Sequence, residues 1–306
     1  MDTTTLEPKA AQPKLVTRFE RILFATDFSP AAAHAIPYVT NLAKHYQSKI
    51  VALHVRPPVV NPMTQPASWA IDIEYATTID QKNRQELRDA FSGIPTEAVI
   101  QPGDILSCVS EAIEKYNADL LVIGTRGRSG VGKFFLGSIA EEIFRDVACP
   151  VLTVGPHAEE ATGTRPQFRE ILYATDFSPE SKRAATYAES LANEFGARLT
   201  LLHVIPKFSS NDVVSWDSLQ ENAKTLLRHL VPAEGRSSLK VDYLVELGDP
   251  AERILDVAAL RQPDLIVLGT QVPKGLPGAA THLPFAVAHK VVSRANCPVL
   301  TVRHQA

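Results

Sequence analysis

Residues 124–138 read Gly-Thr-Arg-Gly-Arg-Ser-Gly-Val-Gly-Lys-Phe-Phe-Leu-Gly-Ser and follow the apolar run Asp-Leu-Leu-Val-Ile at 119–123. A short apolar run of this kind is typical of a strand buried in a parallel sheet. After Ser138, apolar residues recur at helical spacing as far as Val147. The stretch therefore predicts a strand, a glycine-rich loop and the start of a helix.

The loop has the chemistry of a phosphate-binding segment. Its glycines would let backbone amides approach a bound group, and a helix N-terminus offers unpaired N–H groups to an anion. Arg126, Arg128 and Lys133 add positive charge. The alternative is a flexible connection in which Gly137 and Ser138 only begin the helix. Five glycines and three cations exceed what such a connection needs, so we favour phosphate binding.

Length and composition narrow the class of protein. The chain has 306 residues, 45% of them hydrophobic and 21% charged, with a formal net charge of −3. These values suit two globular domains and give no support for a nucleic-acid or membrane partner. Three cysteines without a Cys-x-x-Cys pair predict reduced thiols. The first residues lack an apolar secretion signal, and we expect a cytoplasmic protein.

The sequence is written twice. The block Ile-Leu-Phe-Ala-Thr-Asp-Phe-Ser-Pro at 22–30 returns as Ile-Leu-Tyr-Ala-Thr-Asp-Phe-Ser-Pro at 171–179, and Cys-Pro-Val-Leu-Thr-Val at 149–154 returns at 297–302. Other blocks between them return in the same order. A repeat this long predicts a domain for each copy. The predicted parts of the chain are a disordered tail at 1–18, domains at 19–154 and 169–303, and an exposed linker at 155–168.

Strands and helices alternate within each copy. In the first copy we predict strands near 20–26, 49–55, 96–101, 119–124 and 150–154, with helices near 30–46, 69–92, 105–116 and 138–147. Alternating β and α elements with Val/Ile/Leu-rich strands predict the α/β class, with two tandem doubly wound domains whose five-stranded sheets are parallel. Ligands of such sheets bind beyond the carboxyl ends of the strands, where the strand order reverses.

The two copies resemble the universal stress protein family in its tandem form. The family's nucleotide motif is Gly, two residues, Gly, nine residues, Gly and then Ser or Thr, and Gly124, Gly127, Gly137 and Ser138 match that spacing. The strand endings Ala-Thr-Asp at 25–27 and Leu-His-Val at 53–55 also match. The resemblance covers nearly all of the chain except the tail and the linker.

The resemblance implies a flavodoxin-like, Rossmann-like fold with strand order 3-2-1-4-5 that binds ATP, with or without Mg²⁺, between the ends of strands one and four. It places one group of residues at the nucleoside and a second group along the sugar and phosphates. The implied binding residues are Ala25, Thr26, Asp27, Val55, Ile123, Gly124, Gly127, Arg128, Gly137, Ser138 and Ile139. It implies neither a catalytic residue nor a metal ligand.

Several of these residues also have a structural interpretation. Asp27 either contacts the nucleotide or holds the turn before Ser29 through side-chain to backbone hydrogen bonds. His54 and His203 lack a nucleophile signature, and we expect satisfied histidines at strand ends. Cys149 and Cys297 are expected to be small buried residues.

The second copy departs from the motif at the loop. Val272 stands where the second glycine belongs, and no Gly-Ser pair follows at the expected distance. Three prolines lie in this loop or at its end, and Lys274 is its one cation. We therefore expect one competent nucleotide site, in the first copy, and weak or no ATP binding in the second.

Three functions remain open at the level of the sequence. The first is an ATP-binding regulatory stress protein whose halves form an intramolecular pseudo-dimer through their fifth strands, with a homodimer as a further partner state. The second is a slow ATP hydrolase. The third is an interaction module that uses no nucleotide. The absence of a Walker Gly-Lys-Ser/Thr sequence argues against rapid phosphoryl transfer.

Overall fold

A computed structural model of the chain describes residues 18–56, 66–124, 143, 147, 149–155, 158, 168–206, 215–231, 239–270 and 283–303, and side chains are described outside 66–76 and 283–286. The strands are β1 Arg21–Ala25, β2 Lys49–Arg56, β3 Thr96–Pro102, β4 Leu120–Gly124, β5 Val151–Val154, β6 Glu170–Thr175, β7 Arg198–Ile205, β8 Val241–Leu247, β9 Leu265–Thr270 and β10 Val299–Arg303. The helices are α1 Pro30–Ala33, α2 Ile36–Tyr46, α3 Pro66–Ala90, α4 Ile105–Tyr116, α5 Pro179–Phe195, α6 Trp216–Leu230, α7 Pro250–Arg261 and α8 Leu283–Arg294.

All of these strands belong to one ten-stranded sheet, in the order β3-β2-β1-β4-β5-β10-β9-β6-β7-β8. Within each half the neighbouring strands are parallel and follow the order 3-2-1-4-5, which confirms the predicted fold class. The order reverses between β1 and β4 in the first half and between β6 and β9 in the second. These reversals mark where a ligand cleft is expected in such a sheet.

Alternation along each strand supplies two hydrophobic layers. Ile22 and Phe24 belong to one core, together with residues of α2, α3, α5 and α6, whereas Leu23 belongs to the other, together with residues of α4, α7 and α8. Because successive side chains of a strand point to opposite faces, each face of the sheet buries one set. The helices thus cover both faces, as a doubly wound fold requires.

The two halves join by β5 and β10, which pair antiparallel with Leu152 opposite Leu300. This confirms the predicted pairing of the fifth strands. The Thr153 hydroxyl donates to the Val299 carbonyl at 3.1 Å, and the Thr301 hydroxyl donates to the Val151 carbonyl at 3.2 Å. The boundary between β5 and β10, the seam between the halves, therefore contains two equivalent buried hydrogen bonds, one donated by each half.

The structure corrects two predictions about the chain between the strands. The helix expected at 30–46 is two helices, because Pro37 lies in the first turn of α2 and cannot donate the hydrogen bond that would continue α1. The linker expected to be exposed is buried at its three described positions, Gly155, Ala158 and Phe168. The Ala158 carbonyl accepts a hydrogen bond from the Tyr38 hydroxyl at 3.1 Å.

Two further predictions fall wholly or mostly outside the described residues. The tail at 1–18 does so except for Arg18, and the helix at 138–147 does so except for Ile143 and Val147, which are buried. The domain boundaries stay a prediction. Among the described helices, none is both long and apolar enough to cross a membrane.

Candidate functional site

A tight turn follows β1 and is fixed by its own side chains. The Phe28 amide donates to the Thr26 hydroxyl at 3.0 Å, the Ser29 amide donates to Asp27 Oδ1 at 2.9 Å, and the Ala32 amide donates to the Ser29 hydroxyl at 3.1 Å. Phe28 is left-handed, with φ of 58°. Such a conformation is rare for a large side chain, and this chain of hydrogen bonds supports it.

The second half repeats this turn after β6. The Phe177 amide donates to the Thr175 hydroxyl at 2.9 Å, and the Ser178 amide donates to Asp176 Oδ1 at 3.0 Å. Partial desolvation would raise the pKa of Asp176, but the hydrogen bonds from Ser178 and Ser181 outweigh it and hold that pKa below its usual value. The structural interpretation of this aspartate therefore applies in both halves, whether or not a loop motif follows.

Each strand-end histidine is satisfied locally. His54 Nδ1 lies 2.8 Å from the Thr26 carbonyl oxygen, and its ring lies 4.7 Å from the ring of Phe28. His203 makes the same contact with Thr175 at 2.8 Å, and burial lowers the pKa of its imidazole. Both rings brace the turns that follow β1 and β6, which confirms the prediction of satisfied histidines.

Gly124 is required by packing between a strand and a helix. A Cβ atom at this position would lie 2.9 Å from the Ala31 carbonyl oxygen and 2.9 Å from Ala32 Cα, at the start of α1. At Gly269 a Cβ atom would lie 2.4 Å from the Cα of Ser181 in α5. The first glycine of the motif therefore brings the helix close to the sheet, in both halves.

The described candidate residues of the first half lie at the carboxyl ends of three adjacent strands. Ala25 pairs with Leu53 of β2 on one side and with Ile123 of β4 on the other. Thr26 and Asp27 follow directly, with Val55 on the β2 side and Gly124 on the β4 side. The structure thus brings together the six predicted binding residues that it describes. Gly127, Arg128, Gly137, Ser138 and Ile139 lie outside the described residues.

One ion pair at this edge of the sheet was not predicted from the sequence. Arg56, next to Val55, places Nε 3.1 Å from Oδ1 of Asp80 in α3, and both side chains are mostly buried, with 24% and 13% exposed. The Arg56 carbonyl also accepts from the Gly103 amide at 3.1 Å. Ile205 ends β7 in the second half, where the first has Arg56. This difference between the copies is the feature of the sequence that could have indicated a special role for Arg56.

The second half differs from the first at the corresponding strand ends, those of β9 and β10. Thr270 ends β9 beside Arg303 of β10, and both residues are buried. Among the residues that the structure describes, none forms a hydrogen bond with the buried Thr270 hydroxyl. Copy one has Gly155 where copy two has Arg303. A large cation thus occupies the end of the fifth strand in the half that lacks the glycine motif.

The cysteines confirm the expectation of buried, unpaired thiols. Cys108, Cys149 and Cys297 are free and buried. Burial raises the pKa of the Cys149 and Cys297 thiols to about 12. A thiol with so high a pKa carries almost no thiolate near neutral pH and is a poor nucleophile. Among the described residues, no group of three or more His, Cys, Asp or Glu side chains is placed to hold a metal ion.

Comparison with known proteins agrees with this architecture. The sequence model of the universal stress protein family matches twice, at residues 18–155 and 167–303. A universal stress protein of Mycolicibacterium smegmatis is 25% identical over 92% of this chain and 96% of its own length. One of Mycobacterium tuberculosis is 26% identical over 92% of this chain and 94% of its own.

A solved structure shows the same fold over most of the chain. The universal stress protein of Archaeoglobus fulgidus superposes with a TM-score of 0.71 at 22% identity, covering 94% of this chain and 100% of that one. The two family matches fall on the two halves of the ten-stranded sheet. The chain belongs to the universal stress protein family, in a tandem form with two copies of the family domain.

Proposed function

We propose that this protein is an ATP-binding regulatory protein of the stress response, with its nucleotide site in the first half. The observation that carries the proposal is the convergence of Ala25, Asp27, Val55 and Gly124 at the carboxyl ends of β1, β2 and β4. These ends adjoin the point where the strand order reverses. The glycine-rich sequence begins at the last residue of β4.

The residues at these strand ends suit an adenosine group. Ala25 and Val55 are small or apolar and partly buried, so they would pack against a purine ring. A carboxylate such as that of Asp27 accepts hydrogen bonds from ribose hydroxyls. The Gly127–Ser138 sequence would then offer backbone amides, a hydroxyl and the Arg128 guanidinium to the phosphates.

The expected output is a change of conformation or association rather than chemistry. Efficient phosphoryl transfer needs organised metal ligands and a group that orients the nucleophile. The Thr26 hydroxyl and Asp27 Oδ1 each accept a hydrogen bond from the turn itself. The proposal therefore gives neither residue a catalytic role; Asp27 would bind and orient the nucleotide in addition to holding the turn.

Calorimetric titration of ATP into the full chain tests the proposal. Gly127→Val should weaken binding by at least about tenfold, since it puts a side chain where a phosphate would pass; this corresponds to about 1.4 kcal/mol. The matched variant of the second half, Val272→Gly, should leave the affinity unchanged. Bound ATP should also raise Tm, because a ligand of the native state stabilises it.

Other outcomes of the same titration favour the other functions. No binding by the wild type, together with an unchanged Tm, would favour an interaction module that uses no nucleotide. Full binding by Gly127→Val would place the site elsewhere. Rapid, metal-dependent release of phosphate would favour a hydrolase. Parallel titrations with ADP, AMP and cyclic AMP identify which adenine nucleotide the site prefers.

A further inference from the structure

The C-terminal ends of α2 and α5 meet across the seam between the halves. His45 Nε2 lies 3.4 Å from Glu194 Oε2. The His45 ring stacks on Phe195 with its centroid 4.4 Å away and an interplanar angle of 26°. One residue at the end of α2 thus contacts two residues at the end of α5.

These contacts join corresponding surfaces of the two copies. The helices α2 and α5 end at Gln47 and Gly196, both left-handed, with φ of 57° and 63°. Aligning these two caps places His45 opposite Glu194 in the repeat and Tyr46 opposite Phe195. The contact is therefore pseudo-symmetric, as an isologous interface between two copies of one domain would be.

The aromatic packing around the contact obeys the same symmetry. The Phe19 ring meets Tyr46 edge-on at 5.4 Å, and the Phe168 ring meets Phe195 edge-on at 5.1 Å. In the alignment of the copies Phe19 corresponds to Phe168. The two residues at the centre of the contact, by contrast, differ between the copies. His45 of the first copy is a base, and Glu194 at the same position of the second copy is an acid.

The two side chains of this contact are partly shielded from solvent by the residues around them. The His45 and Glu194 side chains are 35% and 19% exposed. Glu194 Oε1 accepts a hydrogen bond from the Ser190 hydroxyl at 3.0 Å. Burial, followed by the nearby Glu194 carboxylate, raises the pKa of the Tyr46 hydroxyl above its usual range. Charges in such a setting are less screened than charges on an open surface.

We propose that the His45–Glu194 contact selects which halves dock: the first half with the second, and neither half with its like. If two first halves met by this surface, His45 would face another His45. If two second halves met, Glu194 would face another Glu194. The contact found here is the one arrangement of the three that opposes a base to an acid, and like charges at an interface disfavour the wrong partner.

The inference concerns the docking of the halves and does not depend on nucleotide binding. The test compares the full-length variants H45E, E194H and the exchange H45E/E194H by thermal unfolding at about pH 6. H45E places two carboxylates together and should lower Tm by about 2–4 °C, and E194H should lower it as well. The exchange variant restores an acid opposite a base and should recover most of the loss.

The control is Lys44→Glu, which, like H45E, replaces a basic side chain by a carboxylate, at an exposed position one residue earlier in α2. It should leave Tm nearly unchanged. Two results would overturn the proposal. One is a Tm of H45E equal to that of Lys44→Glu. The other is an exchange variant whose loss equals the sum of the two single losses, since the cycle would then contain no coupling between the two positions.

Discussion

Asp27 shows how one side chain serves a turn and, in the proposed function, a ligand. Its Oδ1 accepts from the Ser29 amide, and Asp176 does the same for Ser178 in the half where no nucleotide is expected. The turn thus accounts for the aspartate in both copies. A ligand contact of Asp27 in the first copy would be a second role, and mutation can distinguish it from the role in the turn.

We predict that Asp27→Asn weakens ATP binding by about tenfold while changing Tm little. An asparagine oxygen still accepts from the Ser29 amide, but a hydrogen bond to a charged acceptor, worth about 1.5–3 kcal/mol, is lost to the ligand. Calorimetry and thermal unfolding together measure both effects. An affinity equal to that of the wild type would restrict Asp27 to the turn.

The matched variant Asp176→Asn should leave ATP affinity unchanged and should show a pH dependence in stability. The native pKa of Asp176 lies below its usual value, so its carboxylate contributes stability above the unfolded pKa. That contribution is lost as the pH falls through the native pKa. The difference in Tm between wild type and variant should therefore narrow in acid, below about pH 4.

At the scale of helices and strands, much of the fold could be predicted from the sequence because its causes are local. Ser29, Asp104, Ser178 and Asp249 begin helices by accepting a hydrogen bond from an amide of the first turn. Buried apolar runs gave the strands, and the repeat of whole blocks gave two equal halves. The strand order came from the resemblance to the universal stress protein family rather than from local features, and the pairing of the fifth strands was part of one functional hypothesis.

What could not be predicted depends on contacts between distant residues. The hydrogen bond from Tyr38 that docks Ala158 joins residues 120 positions apart. The Arg56–Asp80 pair joins a strand end to the middle of a helix, and no local pattern marks it. At the candidate site, the six described residues lie at neighbouring strand ends, and a role in binding stays a prediction for them as for the loop residues.

The pair between β2 and α3 leads to a prediction at this scale. Arg56→Ile, which introduces the residue of the second half, leaves a mostly buried Asp80 carboxylate without its cation. We expect faster amide hydrogen exchange in α3 and, since Val55 adjoins Arg56, an ATP affinity lower by up to about tenfold. Hydrogen exchange read by mass spectrometry, with calorimetry, measures both.

The control for this prediction lies at the other end of the same strand. Lys49 forms a 2.6 Å ion pair with Glu97, with both side chains well exposed. Exposed pairs contribute little, about 0–1 kcal/mol, so Lys49→Ala should change neither measurement appreciably. The double variant Arg56→Ile/Asp80→Leu should restore α3 protection, because apolar residues replace buried ion pairs well. Equal protection of α3 in Arg56→Ile and wild type would contradict the anchoring role.

At the scale of the whole molecule, the seam is the feature on which both halves depend. Thr153→Val and Thr301→Val keep the shape of the side chain but each remove one buried hydrogen bond across it. Each should cost about 0.5–1.5 kcal/mol and lower Tm by a few degrees. The pseudo-symmetry predicts similar losses for the two variants in thermal unfolding.

Thr186→Val provides the comparison, because its hydroxyl donates at 2.7 Å to the Arg183 carbonyl on an exposed helix surface. Its Tm should fall less than that of either seam variant. A large loss for one seam variant and none for the other would show that the two hydrogen bonds are not equivalent in solution.

The antiparallel pairing of β5 with β10 has a consequence for how the protein responds to dilution. Two separate domains that met by their fifth strands would fall apart below their dissociation constant. Here both strands belong to one chain, so each half meets the other at an effective concentration set by the connection between them. The paired state should then be equally populated at nanomolar and micromolar protein. A mutation that abolishes nucleotide binding in one half can therefore leave the two halves paired.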